Sequence, residues 1–159
     1  MNIWLLRHAS AEHRASSGRD EDRRLTAAGR STCHDLQAWI RNCDQPKPTR
    51  LLVSPAQRTL ETARHTFGHL NFPDGEIEPR LWNASVGDLV ALIDEVGETS
   101  KSVMLIAHNP GLEGLVRWLG GKLPAVGMKA GTLVIMETSA PLQPGQGRAL
   151  RIFQASDST

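Results

Sequence analysis

Two arginines and two histidines stand at or near the ends of apolar runs, where their side chains could act together on a phosphate group. Arg7 and His8 follow a short apolar run, His108 follows another, and Arg58 comes shortly after a third, residues 51–53. Guanidinium groups bind phosphate oxygens through paired N–H donors, and a neutral imidazole is nucleophilic near pH 7. No Asp/Glu cluster accompanies them at these strand ends, so the pattern favours a phosphate site built on protein cations.

The elements that must position these residues alternate between strand and helix. Residues 3–6, 51–53 and 103–107 are apolar runs typical of buried strands, with helical spacing between them. Such an order predicts right-handed crossovers and a mostly parallel sheet covered on both faces. Two late runs, residues 132–136 and 149–153, predict an antiparallel edge pair. We therefore expect an α/β fold, a three-layer α/β/α sandwich with ligands at the carboxyl ends of its strands.

Several helices have recognisable starts in the sequence. Thr26 and Ser85 fit N-caps, and Ser54 and Asn109, each followed by a proline, fit the N-caps of two helices that begin directly after strands. Arg58 would then lie in the first turn of its helix, where the macrodipole disfavours a cation by about 0.3–1 kcal/mol. An anion bound at that helix end would offset the cost, which favours a phosphate site there.

Most of these residues also have a purely structural interpretation. A lone histidine at a strand end is more often a hydrogen-bonded structural residue than a catalyst. Ser54 and Asn109 need no role beyond capping their helices. The acidic stretch at residues 20–22 is interpreted as a solvated charged loop, and Trp82 as part of the core rather than a substrate platform. Arg58 is the residue that a structural interpretation explains least.

The composition restricts the class of protein. The chain has 159 residues, 40% hydrophobic and 22% charged, with a formal net charge of +1. This is typical of one globular domain, predicted here for residues 1–154 with a short C-terminal tail at 155–159. A balanced charge and an aromatic content of 4% argue against a nucleic-acid partner. Without a membrane-spanning run or a signal-peptide pattern, no membrane association and a cytoplasmic location are expected.

Four short blocks resemble those of the histidine phosphatase superfamily, in the order in which that family has them. They are residues 5–9 (LLRHA), 25–29 (LTAAG), 54–63 (SPAQRTLETA) and 106–111 (IAHNPG). The first resembles the family's Arg-His-Gly signature, with Ala9 in the third place. The short length, with residues 22–26 and 78–85, is most similar to the SixA-type phosphohistidine phosphatase branch. The resemblance implies a phosphoglycerate mutase-like fold.

The resemblance also implies roles for the residues at the strand ends. His8 would be the nucleophile that takes the phosphoryl group in a covalent phosphohistidine intermediate. Arg7, Arg58 and a protonated His108 would bind the phosphoryl group and stabilise the charge that builds up on its oxygens. Asn109 is expected among the phosphate-binding residues. No metal and no cofactor are expected.

A phosphohistidine-bearing protein, such as a histidine phosphotransfer domain, is the expected substrate, and inorganic phosphate the product. Its imidazole leaving group departs readily once protonated, so a dedicated acid matters less than for an alkyl phosphate. Glu12 and Asp22, in the loop after the nucleophile, are the candidate general acids. Only residues 63–84 lie between Thr62 and Ser85, which leaves little chain for a lid and predicts an open pocket.

Three other interpretations remain open from the sequence. A metallohydrolase could use His8, His13 and His108, although hard-metal phosphatases normally recruit several carboxylates. A small-molecule phosphomonoesterase could use the same site as the phosphohistidine phosphatase. A regulatory module could bind a phosphorylated ligand without turnover, although the complete set of arginines and histidines favours catalysis.

Overall fold

The computed structural model describes residues 1–155, and within them six strands and four α-helices alternate along much of the chain. The strands are β1 (Asn2–Arg7), β2 (Arg50–Val53), β3 (Gly75–Ile77), β4 (Ser102–Ala107), β5 (Leu133–Glu137) and β6 (Arg148–Phe153). The α-helices are α1 (Ala27–Arg41), α2 (Gln57–Phe67), α3 (Val86–Gly97) and α4 (Gly111–Trp118). Short 3₁₀ turns occupy Asp20–Asp22 and Pro79–Leu81.

The strands form one sheet with the order β3-β2-β4-β1-β5-β6. Strands β1 to β4 pair in parallel, whereas β5 runs antiparallel to β1 and β6 antiparallel to β5. This mostly parallel sheet with an antiparallel edge confirms the predicted fold class. The order also sets the carboxyl ends of β2, β4 and β1 side by side.

Helices cover both faces of the sheet because the central strands are apolar on both sides. In β1, Ile3 and Leu5 belong to a core that α3 and α4 share, whereas Trp4 and Leu6 belong to a second core with α1 and α2. All four side chains are fully buried. Burial on two faces is why such strands read as continuous apolar runs rather than as alternating patterns.

Two of the predicted helix starts are confirmed. The Thr26 hydroxyl accepts a hydrogen bond from the backbone N–H of Gly29 and caps α1. Ser85 caps α3 and forms a reciprocal capping box with Asp88. Each cap satisfies N–H groups that have no partner inside the helix.

Two further expectations concern the ends and surface of the molecule. Of the predicted C-terminal tail at 155–159, residues 156–159 lie outside the described residues. Among residues 1–155, no helix is both long enough and apolar enough to cross a membrane.

Candidate active site

The predicted site residues meet at one edge of the sheet. His8 follows β1, His108 follows the adjacent β4, and Ser54 follows β2, the next strand along. The imidazole centroids of His8 and His108 lie 5.3 Å apart. Arg58 reaches the same place from the first turn of α2, with its Nη2 3.4 Å from His108 Nδ1. The convergence expected of polar residues at the carboxyl ends of parallel strands is present.

The His8 ring is held in one tautomer. Its Nδ1 lies 2.8 Å from the Ala9 carbonyl oxygen, and a carbonyl can only accept, so Nδ1 carries the proton. The lone pair is therefore on Nε2. Burial lowers the pKa of His8 to about 4, and the nearby guanidinium groups of Arg58 and Arg7 act in the same direction. At neutral pH the ring is an uncharged imidazole with a nucleophilic nitrogen.

The backbone around His8 is fixed by α1 and α2. The N–H of Ala9 donates to the Thr62 hydroxyl at 3.0 Å in a buried contact. Gly29 of α1 packs directly against the chain after His8, where an added Cβ would lie 2.1 Å from the Ser10 carbonyl oxygen. Only glycine permits this approach. Two blocks of the sequence thus serve to place the His8 segment.

His108 is held between Ser54 and Arg58. Its Nδ1 faces the Arg58 N–H donor, so the proton lies on Nε2, which donates to the Ser54 hydroxyl at 2.7 Å. Burial lowers the pKa of His108 to about 3, with further lowering by His8 and Arg58. The expected protonated His108 is therefore not the form in the structure, because a buried ring next to guanidinium groups favours the neutral state.

Arg58 is 5% exposed and points into the site. Its Nη1 donates to the Asp20 carbonyl at 2.9 Å, and its Nη2 lies 3.1 Å from the Asp20 carboxylate. Its Nε is buried and has no hydrogen-bond partner among residues 1–155. Because a buried N–H without an acceptor costs free energy, this donor suits an anion in the site.

Arg7 has a similar spare donor. Its Nη1 donates to the Met128 carbonyl at 2.7 Å, which anchors the guanidinium. Its Nε is buried and, within the described range, has no acceptor. The site therefore contains a neutral imidazole and two anchored guanidinium groups. Each guanidinium group has one N–H that donates to no acceptor among residues 1–155.

The predicted roles of Ser54 and Asn109 as helix caps are wrong. Helix α2 begins at Gln57 after Ala56, because the Ser54 hydroxyl is engaged with His108. Helix α4 begins at Gly111, because the Asn109 amide donates to the Met128 carbonyl and to Glu113.

These contacts also bear on the expected phosphate contact of Asn109. Both protons of its Nδ2 are directed to the Met128 carbonyl at 3.0 Å and to Glu113 at 3.3 Å. The amide therefore has no N–H left for a phosphoryl oxygen. Since Arg7 donates to the same carbonyl, Asn109 is placed to position the segment that anchors Arg7.

The structure does not bring Glu12 or Asp22, the expected general acids, to the histidines. The Glu12 side chain is exposed, and the Asp22 carboxylate accepts from Ser17 and faces Arg19. The carboxylate at the site is Asp20, inside the stretch that the sequence presented only as a charged loop. Partial burial raises the pKa of Asp20, but Arg58 and Arg23 outweigh this, so the pKa lies below its ordinary value.

Trp82 is the second residue that the sequence interpretation missed. It is partly exposed rather than a core residue. Its ring lies edge-on to His108 at 5.3 Å, and the Arg58 guanidinium carbon is 5.4 Å from its centroid. No spacing pattern signals this placement, because Trp82 arrives from the loop after β3.

No group of three or more His, Cys, Asp and Glu side chains within residues 1–155 forms a metal-binding cluster. In particular, His13 does not join His8 and His108 in such a group. Apart from Asp20, which pairs with Arg58, the side chains at the site are guanidinium groups and neutral imidazoles, which suit an anion better than a metal ion.

Comparison with known protein families agrees with the site geometry, which suits a phosphate-like anion. The model of the histidine phosphatase superfamily (branch 1) matches residues 3–124, a range that contains Arg7, His8, Arg58 and His108. The chain belongs to the histidine phosphatase superfamily. This membership supports phosphatase activity. A search of curated proteins finds no match to the chain.

Several solved structures are similar to the chain over nearly its whole length. A structure from Agrobacterium tumefaciens that bears the name phosphohistidine phosphatase SixA is 26% identical, with a TM-score of 0.79, covering 97% of this chain and 98% of that one. A SixA protein histidine phosphatase solved with tungstate is 25% identical, with a TM-score of 0.81 and 96% coverage of both chains. An α-ribazole phosphatase from Shigella flexneri, 17% identical with a TM-score of 0.68 over 98% of this chain and 96% of that one, shares the fold alone.

Proposed function

We propose that this member of the histidine phosphatase superfamily hydrolyses phosphohistidine on a protein, through a covalent phosphohistidine intermediate at His8. One observation carries the proposal. The neutral His8 imidazole is locked by the Ala9 carbonyl so that Nε2 holds the lone pair, while Arg7 and Arg58 each keep a buried N–H without an acceptor among residues 1–155. A nucleophile and groups that can bind an anion thus lie at the same edge of the sheet.

In the first step, His8 Nε2 attacks phosphorus in line, a P–N bond to His8 forms and the P–N bond to the substrate imidazole breaks. Arg7 and Arg58 stabilise the negative charge on the phosphoryl oxygens. A phosphoryl dianion next to His108 favours the imidazolium form, so binding raises the His108 pKa. Nδ1 then gives up its contact with Arg58 Nη2 and donates to a phosphoryl oxygen instead. In the second step, water attacks phosphorus and releases inorganic phosphate, which regenerates neutral His8.

The ionisation state of the carboxylate at the site supports phosphohistidine, rather than an alkyl phosphate ester, as the substrate. An ester leaves as an alkoxide unless an acid protonates it, whereas a phosphohistidine ring protonated at its other nitrogen leaves as neutral imidazole. Asp20 is the carboxylate at Arg58, and its lowered pKa keeps it ionised at neutral pH. An ionised Asp20 cannot protonate a leaving alkoxide, so the better leaving group is favoured.

Two further observations support a protein substrate. The connection between α2 and α3, residues 68–85, contains only the short β3 strand and a 3₁₀ turn among the regular elements described, which leaves little chain to cover the site. The two similar structures named SixA, at 25% and 26% identity, are histidine phosphatases by name, and one was solved with tungstate, an analogue of phosphate. A side chain projecting from a partner such as a histidine phosphotransfer domain could therefore reach His8.

The test is a substrate panel ranked by kcat/KM. It comprises a phosphorylated histidine phosphotransfer domain, a phosphohistidine peptide, a sugar phosphate and an aryl phosphate. We expect the phosphohistidine proteins to rank first, and His8→Ala to abolish turnover. His13→Ala, a change of an exposed histidine in the neighbouring loop, is the matched control and should leave the ranking unchanged.

A metabolite that ranks well above every phosphohistidine protein would contradict the proposed substrate and indicate a small-molecule phosphomonoesterase. Binding of phosphate without turnover of any member of the panel would indicate a regulatory module instead.

A further inference from the structure

A cleft opens beside the phosphate site, and the proposed chemistry leaves it unexplained. It is lined by Pro55, by Trp82 and by Arg19 and Glu21 of the first loop, with a volume of about 330 Å³. We call it the Trp82 cleft. Because Trp82 also contacts His108 and Arg58, the cleft is next to the site where the phosphoryl group would bind.

The backbone holds Trp82 firmly in this position. Its N–H donates to the Pro79 carbonyl at 3.1 Å, closing a 3₁₀ turn. Within that turn, Arg80 bridges Glu78 and Glu95 at 2.8 and 2.7 Å, which ties the segment to α3. The indole is therefore presented on a fixed support rather than on a free loop.

Two roles could explain why the Trp82 indole is partly exposed at the site. It could serve only to hold Arg58, through the cation–π contact at 5.4 Å. Alternatively, the part of its surface that lines the cleft could bind the planar group that leaves from phosphorus. Aromatic faces stack on planar rings of many kinds, and the proposed substrate has such a ring directly bonded to phosphorus.

We propose that the Trp82 cleft binds the imidazole ring of the phosphohistidine substrate, a role that rests on the proposed function. The ring lies between Trp82 and the first loop while its phosphoryl group meets Arg58. Protonated at its free nitrogen, the ring is a cation, which the indole face stabilises. When the substrate P–N bond breaks and the bond to His8 forms, the electron pair returns to the ring, which leaves as neutral imidazole.

The two roles of Trp82 are separated by a pair of P–N substrates. Phosphoramidate carries the same phosphoryl group without a ring, whereas a phosphohistidine peptide carries the ring. Loss of the contact with Arg58 lowers the rates of both substrates alike, so the diagnostic quantity is the difference between them: for Trp82→Leu we expect kcat/KM to fall about tenfold more with the peptide than with phosphoramidate. Trp82→Phe, which keeps a flat aromatic face, should recover most of the peptide activity.

Ile77→Ala is the matched control, since Ile77 lies in the same connection between α2 and α3 but is 60% exposed on β3. It should change neither rate, and thermal unfolding checks that each variant is folded. If Trp82→Leu lowers the rates of both substrates in parallel, Trp82 only positions Arg58 and the proposal is overturned.

A binding experiment separates this proposal from the proposed function. Imidazole is titrated into the ¹⁵N-labelled protein with saturating inorganic phosphate, and the Trp82 indole N–H resonance is followed by NMR. A saturable shift supports the cleft as a ring site even if the substrate panel shows that no phosphohistidine is hydrolysed. Absence of any shift at Trp82, in an enzyme that does hydrolyse phosphohistidine, overturns the cleft alone.

Discussion

Replacement of Arg58 by lysine keeps the positive charge of the site but removes the guanidinium fork. In the structure, Arg58 uses Nη1 and Nη2 to contact Asp20 and His108, and its Nε remains as a buried donor without a partner in the described part of the chain. A lysine ammonium has a single nitrogen. It cannot contact Asp20, face His108 and donate to a phosphoryl oxygen in the same geometry.

The size of the effect follows from the bonds lost in the transition state. A hydrogen bond to a charged group contributes about 1.5–3 kcal/mol. Retention of the charge offsets part of the loss, so we expect Arg58→Lys to lose about 3 kcal/mol of transition-state stabilisation. At about 1.4 kcal/mol per factor of ten, kcat/KM falls roughly 100-fold.

The assay is kcat/KM with a phosphohistidine peptide, with thermal unfolding as a check on the fold. Arg64→Lys is the matched control, because Arg64 lies on the same helix but is exposed, and it should retain full activity. An Arg58→Lys enzyme with more than half of the wild-type rate would refute the assignment of a fork to Arg58.

Further predictions concern charge at the site and dependence on a metal. Asp20→Asn should tighten phosphate binding about two- to fivefold by calorimetry, because it removes a carboxylate that pairs with Arg58 and repels the anion; weaker binding would contradict this. NMR titration without phosphate should find His8 and His108 neutral at pH 6, with pKa values of about 4 and about 3, and phosphate should raise the pKa of His108. Because the unfolded chain takes up these protons nearer pH 6.5, the contribution of the two histidines to the free energy of unfolding is complete above that pH and decreases as the pH falls towards 4. An imidazolium at pH 6 without phosphate would be inconsistent with the lowered pKa values. Chelators should leave the rate unchanged, and a loss that zinc or magnesium restores would instead support a metallohydrolase.

The convergence of the strand-end residues could be predicted from the sequence for a physical reason. Strands buried on both faces are continuous apolar runs, so the position where each run stops is visible without a structure. His8 and His108 stand at such positions, and right-handed parallel connections bring these positions to one edge. The two histidines that follow apolar runs therefore predicted both the type of sheet and the position of the site.

The remaining site residues depend on contacts between segments that are distant in the sequence. Ser54 and Asn109 are residue types that often cap helices. In the structure, however, the Ser54 side chain hydrogen-bonds His108 and the Asn109 side chain donates to the Met128 carbonyl. Asp20 and Trp82 reach Arg58 from two different loops. Loop conformation has no short-range period, so no pattern in the sequence distinguishes Asp20 from its acidic neighbours.

The central claim is that His8 carries the phosphoryl group, and one trapping experiment tests it directly. The enzyme is mixed briefly with a radiolabelled phosphohistidine substrate and denatured without acid, because the P–N bond is acid-labile, and the labelled residue is located by mass spectrometry. We expect the label on His8 in the wild-type enzyme and no label in His8→Ala. Label on a serine, threonine or cysteine, or near wild-type turnover by His8→Ala, would contradict the mechanism.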